Sequence, residues 1–158
     1  MIKRGRLCIY LASSEKGAAR VGLALDNGPD CPDYFKKIFP DAILIEDKKS
    51  NYYMIEAVDA ALAGRDVSSR LKLDVNHTPF QIKVWKGIVR IPPGKTMTYG
   101  EVAAMAGCPG GARAIGQVMH RNPLPLIFPC HRVVAANGLG GFSGGLELKR
   151  YLLNREQV

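Results

Sequence analysis

Residues 6–12 (RLCIYLA) and 19–26 (ARVGLALD) carry apolar side chains at alternating positions, the period-two pattern of strands. Residues 13–17 (SSEKG) supply the turn between them, and the apolar run at 42–45 (AILI) reads as a third strand. Residues 32–39 (PDYFKKIF) predict a short helix that Pro40 ends. Tyr53, Met54, Ala57, Val58, Ala61 and Leu62 recur at helical spacing, with Gly64 as a natural stop. Residues 64–77 then read as an extended linker.

Punctuation sharpens from Thr78 onward. Thr78-Pro79-Phe80-Gln81 combines an N-cap, a proline at the first helical position and a reciprocating glutamine. The helix it opens carries Val84, Trp85 and Ile88 inward and stops before Pro92-Pro93-Gly94. Thr98 and Glu101 form a second capping box, for a helix burying Val102, Ala103 and Ala106 and closed by Gly107 and Pro109. A third helix starts near Gly111-Ala112, carries Ile115, Val118 and Met119, and ends at Asn122-Pro123. Two short helices joined by a tight Gly/Pro turn outline a helix-turn-helix; a pair in a plain bundle gives the same pattern. Residues 124–136 (LPLIFPCHRVVAA) are apolar at the centre and bounded by prolines, which predicts a buried, extended segment. Asn137-Gly138 signals a hairpin turn. The loop 140–145 (GGFSGG) lacks the G-x-x-x-x-G-K-[ST] arrangement of a phosphate cradle, and Leu146 to about Glu156 makes a final helix.

These elements define an α+β fold. A small N-terminal α/β domain with a short antiparallel sheet (1–75) precedes a helical, winged-helix-like domain with a helix-turn-helix (76–158). A length of 158 residues and 47% hydrophobic content allow a real core, and 23% charged residues argue against a disordered chain. No apolar run approaches the roughly 20 residues of a bilayer span. The basic start MIKRGR is not followed by a signal-peptide stretch, so a cytoplasmic location is expected, or a nuclear one in a eukaryote. Net charge is +8, unevenly spread: up to Thr78 there are 12 Lys+Arg against 11 Asp+Glu, and from Pro79 onward 10 against 3. That asymmetry points to a polyanion partner, most simply nucleic acid, although a generally basic protein would share it.

Four cysteines stand at 8, 31, 108 and 130, with no C-x-x-C pair, and are expected to be free thiols. Nothing in the spacing of Cys8, Cys31 and His77 supports a zinc site, so no metal is expected. Cys130, between Pro129 and His131-Arg132, is either a small hydrophobe filling the core or a thiolate activated by basic neighbours. In an extended segment successive side chains point to opposite faces. Contact between Cys130 and His131 therefore needs a local kink or a bridging water.

The stretch Pro-Cys-His-Arg-Val at 129–133, with Arg121-Asn122-Pro123 before it and Phe142-Ser143-Gly144-Gly145 after it, resembles the O6-alkylguanine-DNA alkyltransferases. Residues 98–103 (TYGEVA) and 112–116 (ARAIG) match the same family in order and spacing, so the resemblance covers about 78–156. It implies repair by direct damage reversal, with the alkyl group of O6-alkylguanine, and O4-alkylthymine as a further candidate, passing to Cys130 in a single turnover without a cofactor. By the same resemblance His131 takes the thiol proton through a water, Glu156 orients and charges that histidine, and Tyr99 donates to the departing guanine. Asn122 ties the helix end to the active-site turn, Ser143 and Gly144 hold O6, and the backbone at Cys130 and Val133 reads the exocyclic amine. Arg113 fills the gap left by the flipped nucleotide, and Ala112, Gly116 and Thr98 join it against DNA. The implied partner is duplex DNA carrying O6-alkylguanine, met by a monomer and without a membrane.

Three positions depart from the family pattern: Gln117 is larger than usual, His120 replaces a more basic residue, and Phe142 replaces tyrosine. A lesion sensor without transfer, a cysteine hydrolase using Cys130 and His131, and a helix-turn-helix regulator are the competing functions. The charge distribution predicts salt-sensitive, nearly sequence-blind duplex binding. In a fluorescence anisotropy titration, one strongly preferred sequence would favour the regulator instead.

Overall fold

The computed structural model describes residues 1–157. Strands β1 (Ile2–Arg4), β2 (Leu7–Ser14) and β3 (Gly17–Leu25) form an antiparallel sheet in chain order, with a bulge at Ala12/Ser13. Helices α1 (Cys31–Ile38) and α2 (Tyr52–Leu62) follow. The run 42–45 is not a strand: Ile43 is 91% and Ile45 80% exposed. Hydrophobicity alone does not make a strand, which also needs an edge to pair with. Along β3, Ala18 bonds to Lys72 and Asp74 of the linker, and the Val21 amide donates to the Pro123 carbonyl at 2.8 Å. The linker itself carries a single 3₁₀ turn, Ser68–Arg70.

Helix α3 (Pro79–Ile88) begins at Thr78 with both halves of the capping box made. The box at Thr98 is likewise complete and opens α4 (Tyr99–Met105); α5 (Ala112–His120) follows after the turn at Gly107–Gly111. The predicted extended course of 124–136 is corrected to a turn-rich one. The Phe128 amide bonds to the Leu124 carbonyl, and Cys130–Arg132 form a 3₁₀ turn. Three prolines in seven residues, Pro123, Pro125 and Pro129, deny the segment the ladder of amides a strand requires. Within the segment Val133–Val134 (β5) form the one strand, paired in parallel with Met97–Thr98 (β4). Asn137-Gly138 closes one isolated bridge, Ala135 to Gly138, and not a full hairpin. Helix α6 (Leu146–Arg155) ends the fold.

One core joins the two halves. Leu7, Ile9, Val21, Met54 and Val58 pack in the same cluster as Val84, Trp85, Ile115, Phe128 and Leu152. Trp85 is its pivot. Its indole stacks on Phe128 with centroids 5.8 Å apart, and its Nε1 donates to the Val118 carbonyl at 3.1 Å. A second small cluster of Cys8, Tyr10 and Phe35 lies under α1. No helix among the described residues is long and apolar enough to cross a membrane. Replacing Trp85 by alanine removes the ring that links α3, α5 and the Cys130 turn. Urea unfolding should show a loss of about 3–5 kcal/mol.

Candidate active site

Cys130 is built into a turn that the surrounding sequence forces. Leu126 takes a left-handed backbone (φ 76°) while its side chain stays buried. That conformation is unfavourable for a side-chain-bearing residue by about 1–2 kcal/mol, and packing must hold it. The Asn122 side chain spans the loop: its Nδ2 donates to the Phe128 carbonyl at 2.7 Å and its Oδ1 accepts from the Leu124 amide at 3.0 Å. The 3₁₀ turn that follows is the local kink needed at Cys130-His131-Arg132, and all three side chains are buried.

Glu156, at the end of α6, gathers this turn. Its Oε1 accepts from His131 Nε2 at 2.7 Å and from Arg132 at 2.8 Å, and its Oε2 accepts from the Gly94 amide at 3.2 Å. Arg132 also donates to the Ile91 carbonyl at 2.7 Å. Burial pushes the Glu156 carboxyl up, but the bonds from His131 and Arg132 outweigh it and hold the group down at about 2. An ionised carboxylate only accepts, so the His131 proton sits on Nε2. Nδ1 is then the unprotonated nitrogen; it is buried and has no partner among the described residues. Burial lowers the pKa of His131, against the pull of Glu156, which keeps the ring neutral and able to take a proton.

Cys130 is 7% exposed, and burial pushes its thiol up. The Asn122 side chain, the Lys149 charge and the backbone amides of Cys130 and His131 pull the other way. At rest the sulfur is therefore biased to the thiol, with the neutral base His131 beside it in the chain. Lys149 is a site residue that sequence reading did not find. It sits mid-helix in α6 with the spacing of any core-facing position, and nothing in sequence marks its burial. Its ammonium donates to the carbonyls of Val133 (2.7 Å), Leu139 (2.6 Å) and Gly141 (3.2 Å).

Tyr99, at the start of α4, lies against the glycine-rich loop, its hydroxyl 3.4 Å from the Gly141 carbonyl. A side chain at Gly140 would meet the Tyr99 ring at 2.7 Å, so glycine there permits the approach. Burial raises the Tyr99 pKa and keeps its hydroxyl protonated. Ser143 and Gly144 are exposed on the same loop; the Ser143 hydroxyl lies 3.3 Å from the His120 carbonyl and 3.4 Å from its Nδ1. Thr98, which caps α4, is partly buried. On α5, Arg113, Gln117 and His120 are exposed, with Ala112 and Gly116 partly so. A methyl group at Gly116 would meet nothing within 4 Å. Glycine inside a helix costs about 1 kcal/mol against alanine, and no neighbouring atom accounts for it here. All four cysteines are free, and no group of three metal-binding side chains forms among the described residues.

The sequence profile of the 6-O-methylguanine DNA methyltransferase DNA-binding domain matches residues 79–158. A methylated-DNA–protein-cysteine methyltransferase of Methanosarcina barkeri is 37% identical over 150 residues, 94% of this chain and 90% of that protein. One from Mycobacterium tuberculosis is 43% identical over 104 residues; that match spans 65% of this chain and 63% of the mycobacterial protein's length. A crystal structure of M. tuberculosis OGT in complex with DNA is similar at a TM-score of 0.57 and 41% identity, covering 66% of this chain and 64% of that one. The O6-methylguanine-DNA methyltransferase of Pyrococcus kodakaraensis is similar over 96% of this chain and 99% of its own, with TM-score 0.68 and 29% identity.

Because the Glu156 pKa is depressed on folding, its stabilisation is full above about pH 4.5 and lost as pH falls toward 2. Glu156→Gln should cost on the order of 3 kcal/mol at neutral pH. The difference from the parent should shrink below pH ~4.5, as read by urea melts across a pH series.

Proposed function

Since the chain belongs to the 6-O-methylguanine DNA methyltransferase family, we propose that it repairs duplex DNA by moving an alkyl group from O6 of guanine to the Cys130 sulfur. The observation that carries this reading is the enclosed cluster Cys130–Asn122–His131–Glu156, with a neutral histidine whose one free nitrogen is buried and unpartnered. His131 Nδ1 takes the thiol proton through a water, and the Glu156 carboxylate stabilises the imidazolium that results. The thiolate attacks the alkyl carbon; the S–C bond forms as the C–O6 bond breaks, and the electron pair passes into the purine ring. Tyr99, kept protonated by burial, donates to that ring and so makes guanine a better leaving group. The product thioether has no easily expelled group, and no second nucleophile is at hand among the described residues, so each protein acts once.

The target atom lies inside the duplex, so the base must turn out of the stack at a cost of a few kcal/mol. Exposed Arg113 on α5 is suited to fill the gap, and the open face at Gly116 and Ala112 to lie close to the backbone beside Thr98. The M. tuberculosis relative crystallised with DNA supports DNA as the partner. Ser143 and Gly144 would then hold O6, with the Cys130 and Val133 carbonyls reading the exocyclic amine. A monomer, cytoplasmic or nuclear, needs no cofactor for this chemistry.

Incubation with O6-benzylguanine should add one benzyl group to the intact mass, mapping to Cys130, while Cys130→Ala stays unmodified. A folded parent protein that takes up no benzyl would rule the reading out.

A further inference from the structure

Lys149 is fully enclosed, at 0% exposure, yet no carboxylate pairs with it among the described residues. A buried ammonium without a counter-charge is unfavourable, and methionine or leucine would fill similar space without that penalty. The charge must therefore act on its surroundings. Its three acceptors belong to two separate stretches: Val133, three residues past Cys130, and Leu139 with Gly141, in the loop that carries Ser143. Tyr99 closes the same arrangement from α4, its hydroxyl on the Gly141 carbonyl and its ring centroid 6.0 Å from the Lys149 Nζ.

We infer that Lys149 is a positioning residue for alkyl transfer: its ammonium fastens Val133, Leu139 and Gly141 into one wall, so that Ser143 and Tyr99 face Cys130 before the base arrives. This rests on the alkyl-transfer reading above. Without the ammonium, glycines 140, 141, 144 and 145 leave the loop little to hold its shape, because they supply no side chains to pack. A wall assembled in advance spares the reaction the ordering of that loop. The groups that share charge with Lys149 are Cys130 and His131 on the turn and Tyr99 on α4. Burial lowers the Lys149 pKa to about 8, while Cys130 opposes the fall. The fastening is thus charged at neutral pH and released in mild alkali.

Two rates on one protein separate positioning from thiol activation. Iodoacetamide labelling followed at the Cys130 peptide by mass mapping, because Cys8, Cys31 and Cys108 are also free, reads that thiolate without the wall; benzyl transfer from free O6-benzylguanine reads thiolate and wall together. Lys149→Met should lose about 100-fold in benzyl transfer, with a far smaller change in iodoacetamide rate. A folded variant within about threefold of the parent for benzyl transfer overturns the inference, as does an equal fall in both rates. Should the variant fail to fold, the parent supplies the test. Between about pH 7 and 10 its benzyl transfer should fall while its iodoacetamide rate rises, and parallel rises overturn the inference. A parent protein that accepts no benzyl at any pH sinks the alkyl-transfer reading itself, a distinct outcome.

Discussion

The Glu156 carboxylate is the point on which the site depends. It lies at the very end of α6, and from there it accepts from His131, Arg132 and the Gly94 amide at once. Three stretches far apart in sequence are thereby closed around one buried turn. Each charge in the group would be costly alone. Together, with Arg132 also bonded to the Ile91 carbonyl, their polar atoms are satisfied, the condition under which a buried ionic cluster is tolerated. The one nitrogen left over, His131 Nδ1, is left over because Glu156 has claimed the other. Orientation and tautomer of the histidine thus follow from one interaction, while burial lowers its pKa against that interaction's pull.

A second constraint is steric. Pro123, Pro125 and Pro129 leave the chain around Leu126 few amides for regular pairing, and Asn122 substitutes for the missing secondary structure by bonding both Leu124 and Phe128. The result is a rigid irregular loop backed by Trp85 and Phe128. Its rigidity contrasts with the glycine-rich loop opposite, which relies on Lys149 and Tyr99 for its shape. The two walls of the site are held by different means: one by packing, the other by a charge.

Much of this was legible in sequence, and unevenly so. The capping boxes at Thr78 and Thr98 fixed two helix starts to the residue, because the chemistry of a cap is local. Family membership was legible through a run of matched motifs, whereas the residues alone leave Cys130 between a core filler and a nucleophile. The run 42–45 misled because strand formation depends on an available edge, and residues 72–74 together with Pro123 pair with β3 instead. Lys149 escaped notice for a related reason. Its neighbours in sequence, Leu148 and Arg150, give no sign that the lysine points inward, and its partners are backbone atoms, which leave no trace in residue identity. What sequence conceals here is long-range: who accepts a bond, and from how far along the chain.

The Trp85–Phe128 stack has an optical side. The chain holds one tryptophan, and its indole sits face to face with a ring two residues from Cys130. A shift of the sulfur-bearing turn that carried Phe128 with it would alter the surroundings of this sole indole chromophore. Were the proposed alkylation of Cys130 to displace that ring, indole emission would report it in solution without a label.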